Sequence, residues 1–330
     1  MSAPETQADP YTISIVVEWE NALNAEADRT FEMLRQVTSQ ARKHASRHAG
    51  ERFEVLVVFD DELFQAAALQ DFVESAIGRS CEILDVRFLK LPGGGYYASK
   101  DHGVRAARGE RVLLVDSDVV PEDGWLDTLL KALNNDGVNL VAGSTYIDAG
   151  NFIGKTFALN WFFPLRSEAS HVETTSRFFA NNLAIRRSFY LQHPFPDVAG
   201  TSRGSCVVLS HRLSEQGLSI HRANDARSSH PAPNGFRHLV PRALAQGRDQ
   251  VLCQRFLGHR LWQSWPASFV RLAGHMVRSF VRTLAGRNRV GLGILQVPAA
   301  IAVAWVYYLL FWAGETGEHL GLRAVRNIRV

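Results

Sequence analysis

"RVLLVDSDVVPEDGWL", Arg111 to Leu126, is an apolar run that stops at two aspartates with one serine between them. Its first half reads as a strand buried on both faces, which is the signature of a parallel sheet covered by helices. In such sheets ligands bind beyond the carboxyl ends of the strands. Two carboxylates at that edge suit a divalent cation, Mn²⁺ or Mg²⁺, held by a few hard oxygens with its other positions left for substrate phosphates. The three-residue pattern alone is common on surface turns, so its neighbours decide its meaning.

The preceding segments repeat the same plan. "ISIVVEW" (Ile13 to Trp19) and "FEVLVVF" (Phe53 to Phe59) are β-branched apolar runs, and "CEILDVRFL" is a third. Helix-like stretches separate them, the first from Ala25 to about His48 with Phe31, Leu34 and Val37 on one face. Strands alternating with helices imply a mainly parallel sheet. Three strand ends, at Glu18 to Asn21, Asp60 to Glu62 and Asp116 to Asp118, are then expected to converge on one crevice. "GVRAARGE" reads as the end of a helix stopped by Gly109. Later, "FFANNLAIRRSFY" and "SCVVLSHRLSEQGLSIHRA" read as a strand, a helix and a further strand of the same domain.

A chain of 330 residues with 46% hydrophobic and 21% charged residues has the material for a large core. Residues 1–10 are polar and read as a disordered leader without a secretory signal. Cys81, Cys206 and Cys253 are odd in number and far apart, which argues against a disulfide framework or a zinc cluster and favours a reducing compartment. The net charge of +3 hides an asymmetry: Arg237 to Arg289 holds ten arginines and one acid, Asp249. That region must face something anionic, with phosphate groups, anionic lipid and nucleic acid as the options, or sit at an interface that tolerates cations.

Within it Arg271, His275, Arg278 and Arg282 fall on one face of a helix, with Phe269, Leu272, Met276, Val277, Phe280 and Leu284 opposite. This describes either a helix packed on the domain or one lying in a membrane interface with arginines at headgroup level. The following 24 residues, Val290 to Ala313, carry no charge and end in Trp305, Tyr307, Tyr308 and Trp312. As a helix they would reach about 36 Å, enough for a hydrocarbon core of about 30 Å. A span, an interfacial hairpin and a buried helix all remain open, because Pro298 and two glycines interrupt the run. The expected organisation is a leader (1–10), an α/β sheet domain (11–235), basic amphipathic helices (236–289), a transmembrane or interfacial helix (290–313) and a short tail (314–330). Nucleic-acid binding is disfavoured, since the arginines lack interleaved base-reading groups.

Gly95, Lys100, Asp101, Gly103, "AARGE" and "LLVDSDVVPEDGWL" together closely resemble the central signature of family 2 glycosyltransferases. "SIVVEWEN", "EVLVVFDD", "FFANNLAIRRSFY", "LSHRLSEQGLSI" and "ARSSH" follow in the family's order, so the resemblance runs from about Thr12 to His230. It implies the GT-A fold: an α/β, Rossmann-like, mixed but mainly parallel sheet flanked by helices, here with a C-terminal helical region. It implies a nucleotide-diphosphate sugar donor, of UDP or GDP type. Asp116 and Asp118 would hold Mn²⁺ or Mg²⁺, with His230 a third ligand. Glu20, Asn21 and Asp60 would meet the nucleoside, and Lys100, Asp101 and Asp116 the rest of the donor. The implied reaction is an inverting transfer to a lipid-linked or glycan acceptor. With the basic tail, this places the protein on the cytoplasmic face of the cell membrane, peripheral or single-pass.

Two departures matter. Glu18, Trp19 and Glu20 stand where the family has a proline-containing turn. Ser205 and Cys206 stand where the family carries the acidic pair that takes the proton from the acceptor hydroxyl. Either another carboxylate serves, with Asp197 nearest in sequence and Glu173 and Asp148 further off, or the acceptor is itself an anion, or the protein binds sugar nucleotide as a sensor or scaffold without transfer. Arg203, beside the missing acids, suits an anionic acceptor. Cys206 lacks a paired base and reads as a buried small residue.

Overall fold

The computed structural model describes residues 11–78, 83–233, 235–259 and 264–328; the expected leader and Cys81 lie outside them. The first half is a regular alternation: β1 (Ile13–Glu18), α1 (Ala27–Arg47), β2 (Phe53–Phe59), α2 (Ala66–Ile77), β3 (Leu84–Lys90), α3 (Tyr96–Ala106) and β4 (Arg111–Asp116). Then come β5 (Val120–Pro121), α4 (Trp125–Leu133), β6 (Leu140–Ile147), α5 (Phe152–Asn160), β7 (Val172–Thr175), β8 (Asn182–Arg186), α6 (Arg187–Gln192), α7 (Ser205–Glu215) and β9 (Ile220–His230). Four helices end the chain: α8 (Gly235–Phe256), α9 (Trp265–Gly286), α10 (Val297–His319) and α11 (Arg323–Arg326).

Among the described residues nine strands form one sheet in the order β3-β2-β1-β4-β8-β6-β9-β5, and β7 pairs with the first half of β9 while β5 pairs with its end. β3, β2, β1 and β4 are mutually parallel, while β8 runs antiparallel to both β4 and β6. Alternate residues of each strand feed opposite cores. Ile15 and Val17 face α1 and α2 through Met33, Leu34, Val37, Leu69 and Val73. Val16, Leu56, Val58 and Leu114 face α3, α6 and α7. α3 lies close on the sheet because Gly103 has no side chain; a Cβ there would collide with Val16.

The helix before β4 ends at Ala106, with Ala107 already extended, and not at Gly109 as expected. Gly109 serves a different need: a Cβ at that position would stand 2.8 Å from the backbone of Ile13 and Ser14. The glycine admits the β1 backbone and does not cap the helix.

Two registers build the functional edge. Glu18 of β1 lies beside Asp116 of β4, so the carboxyl ends of the two central strands are level. β5 pairs antiparallel with the end of β9, Val120 opposite Ser229, which brings His230 back beside Asp118.

The C-terminal helices share a core with the sheet domain. Phe157 and Trp161 at α5, Leu239 and Ala243 of α8, and Tyr307 of α10 form one apolar cluster. α8 and α10 touch backbone to backbone, since a Cβ on Gly247 would run into the carbonyl of Phe311 and one on Gly314 into that of Leu244. The uncharged run is not one continuous helix: a turn with Gly291 at φ +64° and a short 3₁₀ segment precede α10, which begins at Val297 and continues past residue 313 to His319. Pro298 sits in its first turn, where a missing N–H costs nothing.

The expected basic stripe on α9 is also redistributed. Arg271 turns inward onto Glu315 of α10 at 2.7 Å, and His275 stacks on Tyr308 with ring centres 4.5 Å apart. Arg255 similarly reaches Glu318 at 2.8 Å. Several arginines of this region therefore meet acids within the protein. The outward side of α9 is apolar instead: Phe269, Val270 and Val277 are 48%, 66% and 65% exposed, and Phe280, Val281 and Leu284 are exposed with them. Arg278 and Arg282 share that outer surface.

Candidate functional site

Asp116 is the end of a buried strand and is almost fully enclosed. Lys100, itself without solvent exposure, reaches up from α3 to Asp116 Oδ1 at 2.5 Å. The Tyr96 hydroxyl donates to the same carboxylate at 3.0 and 3.1 Å, and Asn21 Nδ2 donates to Oδ2 at 3.0 Å. Both oxygens of Asp116 are engaged by this clasp. Asn21 also donates to Glu18 Oε2 at 2.9 Å and accepts from Arg203 Nη2 at 2.7 Å, so it joins β1, β4 and the loop before α7. Glu18, fully buried, takes the Glu20 backbone N–H on its other oxygen. Burial, and then the adjacent charge of Asp116, raise the Glu18 carboxyl well above the usual range.

Asp118 differs from Asp116. It is buried, yet its Oδ1 has no hydrogen-bond partner among the described residues. Its Oδ2 faces His230 Nε2 at 3.7 Å. The His230 ring is fixed by its other nitrogen: Nδ1 lies 2.6 Å from the Pro231 carbonyl, which can only accept, so the proton is on Nδ1 and Nε2 carries a lone pair. Burial holds this imidazole below its ordinary pKa against the pull of Asp118. Two lone-pair donors thus face each other with an orphaned oxygen beside them, an arrangement that suits a cation. No group of three or more acidic, histidine or cysteine side chains with metal-binding geometry occurs among the described residues, so the protein supplies only part of a coordination shell. Divalent ions bound with substrate phosphates are held in that way.

Arg203 lies in the loop before α7. Its guanidinium sits 3.6 Å above the Tyr96 ring, and its Nη1 is enclosed without a partner among the described residues. Burial opposes its charge, but Tyr96, Glu18, Glu20 and Asp116 outweigh that and hold it above its ordinary pKa. The loop is anchored from α8, where Asp249 accepts the backbone N–H groups of Ser202 at 3.1 Å and Arg203 at 2.7 Å and is braced by Arg248. Cys206 is buried, receives the Tyr97 hydroxyl at 3.1 Å, and burial raises its thiol.

The remaining sequence candidates divide. Asp60 stands at the same edge, one strand over, and ties the Gly93 N–H to the end of β2 at 3.1 Å. Asp101 turns away from the strand ends, onto Arg105 at 2.7 Å and the Tyr190 hydroxyl at 3.2 Å, so it does not join the Asp116 cluster. Asp197 is exposed in the loop after α6. Glu173 pairs with Asn224 on the β7–β9 edge. Asp148 faces Arg29 at 3.5 Å. Three contributors carried no sequence signal. Arg29 of α1 donates to the carbonyls of Asp118 at 2.7 Å and Ser229 at 2.6 Å, locking the two sides of the pair together. Tyr96 completes the Asp116 clasp, and Arg242 of α8 reaches the Trp161 ring, which in turn lies 5.7 Å from the His230 ring. A groove of about 380 Å³, lined by Trp19, Thr30, Phe64, Leu69 and Phe72, opens at the ends of β1 and β2.

The comparisons with known proteins bear on the family and the fold. The model of glycosyl transferase family 2 matches residues 23–204, just over half of the chain, and stops one residue before α7. A curated relative, glycosyltransferase AglE of Haloferax volcanii, is 23% identical over 164 residues, 48% of this chain and 51% of its own. The chain therefore spans about half the length of that relative. Among solved structures, the mannosyltransferase PcManGT of Pyrobaculum calidifontis, in complex with GDP-Man and Mn²⁺, superposes with a TM-score of 0.54 at 15% identity, covering 97% of this chain and 91% of that one. The sheet order and the family match together establish the fold as the GT-A type. The chain belongs to glycosyl transferase family 2.

Proposed function

We propose that the protein is a metal-assisted, inverting glycosyltransferase that moves a sugar from a UDP- or GDP-type donor to an acceptor at the cytoplasmic membrane face. The observation that carries the reading is the Asp118–His230 pair, two lone-pair donors held 3.7 Å apart at the carboxyl edge of the sheet. A divalent ion held there, Mn²⁺ or Mg²⁺, would neutralise charge developing on the departing nucleoside diphosphate. Asp118 and His230 would hold it, and Arg29 keeps the two at their separation through backbone carbonyls on both sides. Asp116, its oxygens taken by Lys100, Tyr96 and Asn21, fixes the strand end against which the donor lies. The aromatic groove beside Trp19 and Phe72 is suited to the nucleobase, with Glu20 and Asn21 next to Trp19 in the chain and Asp60 just past the end of β2.

The membrane part of the reading rests on the outer face of α9, where exposed Phe269, Val270, Val277 and Phe280 alternate with Arg278 and Arg282. An interfacial helix has this composition. α10 is long and apolar enough to cross a bilayer by length and composition, with a third of its most apolar stretch buried against the protein. Its packing on α8 favours a monotopic attachment over a free single span.

Nucleoside diphosphate release tests the reading. Full-length protein in detergent is incubated with UDP- and GDP-sugars, Mn²⁺ or Mg²⁺, and a membrane lipid extract. Release with one donor, lost on Asp118→Asn, is expected. Metal-dependent nucleotide binding without release, whatever the donor and extract, would replace the transferase by a sugar-nucleotide sensor or scaffold.

A further inference from the structure

We infer that Arg248 and Asp249 are positioning residues that tie the end of α11 to the site: carbonyls of α11 hold Arg248, and the pair sets the loop that brings Arg203 onto Asn21. The inference rests on the donor site proposed above. Arg248 is buried, and each of its guanidinium nitrogens is engaged. Nη1 donates to the carbonyls of Val325 at 3.2 Å, Arg326 at 3.2 Å and Ile328 at 2.6 Å. Nε and Nη2 meet Asp249 Oδ1 at 2.9 and 2.8 Å, and Nη2 also donates to the Ser202 hydroxyl at 2.8 Å. A charge enclosed to this degree is tolerated only while its hydrogen bonds are complete. The α11 carbonyls are therefore part of what keeps Arg248 in place.

Asp249 passes this order on to the loop before α7. Its Oδ2 accepts the N–H groups of Ser202 at 3.1 Å and Arg203 at 2.7 Å, while the Tyr97 hydroxyl accepts that of Gly204 at 3.3 Å. Gly200 and Gly204 bound the stretch with φ of +80° and +116°, which other residues rarely adopt. The stretch lies outside any strand or helix, so its path depends on these glycines and on the side chains that anchor it. Gly204 also lets α8 approach, since a Cβ there would stand 2.5 Å from the Cys253 sulfur.

Fixed in this way, Arg203 lies 3.6 Å above the Tyr96 ring and donates from Nη2 to Asn21 Oδ1 at 2.7 Å. That bond decides which way round the Asn21 amide sits. With its oxygen taken by Arg203, its nitrogen faces the two carboxylates, Glu18 Oε2 at 2.9 Å and Asp116 Oδ2 at 3.0 Å. Without the guanidinium, nothing in this chain of contacts keeps the amide oxygen turned away from them. The carboxyl ends of β1 and β4 are thus braced by a series of contacts that begins at α11, at the other end of the sequence. Arg248, Asp249 and the α11 carbonyls act only through Arg203 and Asn21.

Hydrogen exchange of the full-length protein in detergent reads the loop, and calorimetric binding of UDP–Mn²⁺ and GDP–Mn²⁺ reads the site. Val325 is buried and packs so closely on α10 that a Cβ at Gly317 would stand 2.5 Å from it, so Val325→Asp undocks α11. Asp249→Asn weakens the anchor itself. Each should speed exchange in residues 199–206 by about tenfold or more and weaken nucleotide–Mn²⁺ binding by about tenfold. A general loss of stability would weaken binding in any background, whereas an effect carried by Arg203 needs its guanidinium. In Arg203→Gln, adding Val325→Asp should therefore change the affinity by less than about twofold. A further tenfold loss in that background, or wild-type exchange of the loop in both single variants, would overturn the inference. If Val325→Asp does not fold, Asp249→Asn alone and combined with Arg203→Gln decides by the same two readings. If the wild type binds neither nucleotide, the donor reading fails and loop exchange decides alone: faster exchange upholds the link from α11, and unchanged exchange removes it.

Discussion

Oδ2 of Asp118 and Nε2 of His230 face each other across 3.7 Å with a lone pair on each, because the ring's proton is committed to the Pro231 carbonyl. Replacing His230 by Gln removes one of the two ligands while keeping a polar side chain of similar length. Mn²⁺ affinity in the presence of UDP or GDP should fall by about 10- to 100-fold, with the fold retained. Electron paramagnetic resonance of free Mn²⁺ reads this without any turnover. Unchanged affinity would remove His230 from the site.

Lys100 and Asp116 form a buried pair with neither partner more than marginally exposed. Lys100→Met strands the Asp116 charge in the interior, at a cost of about 3–5 kcal/mol. Adding Asp116→Asn should recover part of that loss. Urea unfolding of the single and double variants checks both statements.

Glu18 gives a pH signature. Its carboxyl is pushed up to about 8 by burial and by Asp116. A folded-state pKa above the unfolded value means that the native state holds the proton longer, so the group's contribution is complete below about 4.5 and is lost as the pH rises through about 8. Glu18→Gln cannot titrate. Its stability relative to wild type should therefore increase between pH 5 and pH 8, whatever the offset at pH 5. Equal slopes in urea unfolding at pH 5, 6.5 and 8 would contradict the assignment.

The parallel half of the fold was legible because its strands are continuous apolar runs ending in polar groups, a pattern that local sequence carries completely. The Asp116–Asp118 pair was legible for the same reason. Arg29 and Arg242 were not, because each reaches the site from a helix remote in sequence, and nothing in their local spacing marks them. For α9 the periodicity revealed two faces but not their destinations. The acids that draw Arg271 inward stand on α10, more than forty residues later, and only tertiary packing brings them there. Gly109 read as a helix stop because a close backbone approach and a helix end call for the same residue.

The outward face of α9 predicts lipid association. Phe269→Asp combined with Phe280→Asp should abolish co-flotation with anionic vesicles and leave nucleotide binding intact, since both side chains are about half exposed and lie outside the sheet domain. Undiminished flotation would transfer the membrane role to another surface.

The central claim is a metal-dependent sugar-nucleotide site built on Asp118. Its most direct test is thermal unfolding of the detergent-solubilised protein with UDP-, GDP-, CDP- and dTDP-sugars, with and without Mn²⁺, in wild type and Asp118→Ala. A ligand at about 100 times its dissociation constant stabilises by about 2.7 kcal/mol, a shift of several degrees. The account predicts such a shift with one nucleotide, only when Mn²⁺ is present, and its disappearance in the variant. A shift that survives Asp118→Ala, or none with any donor, would contradict it.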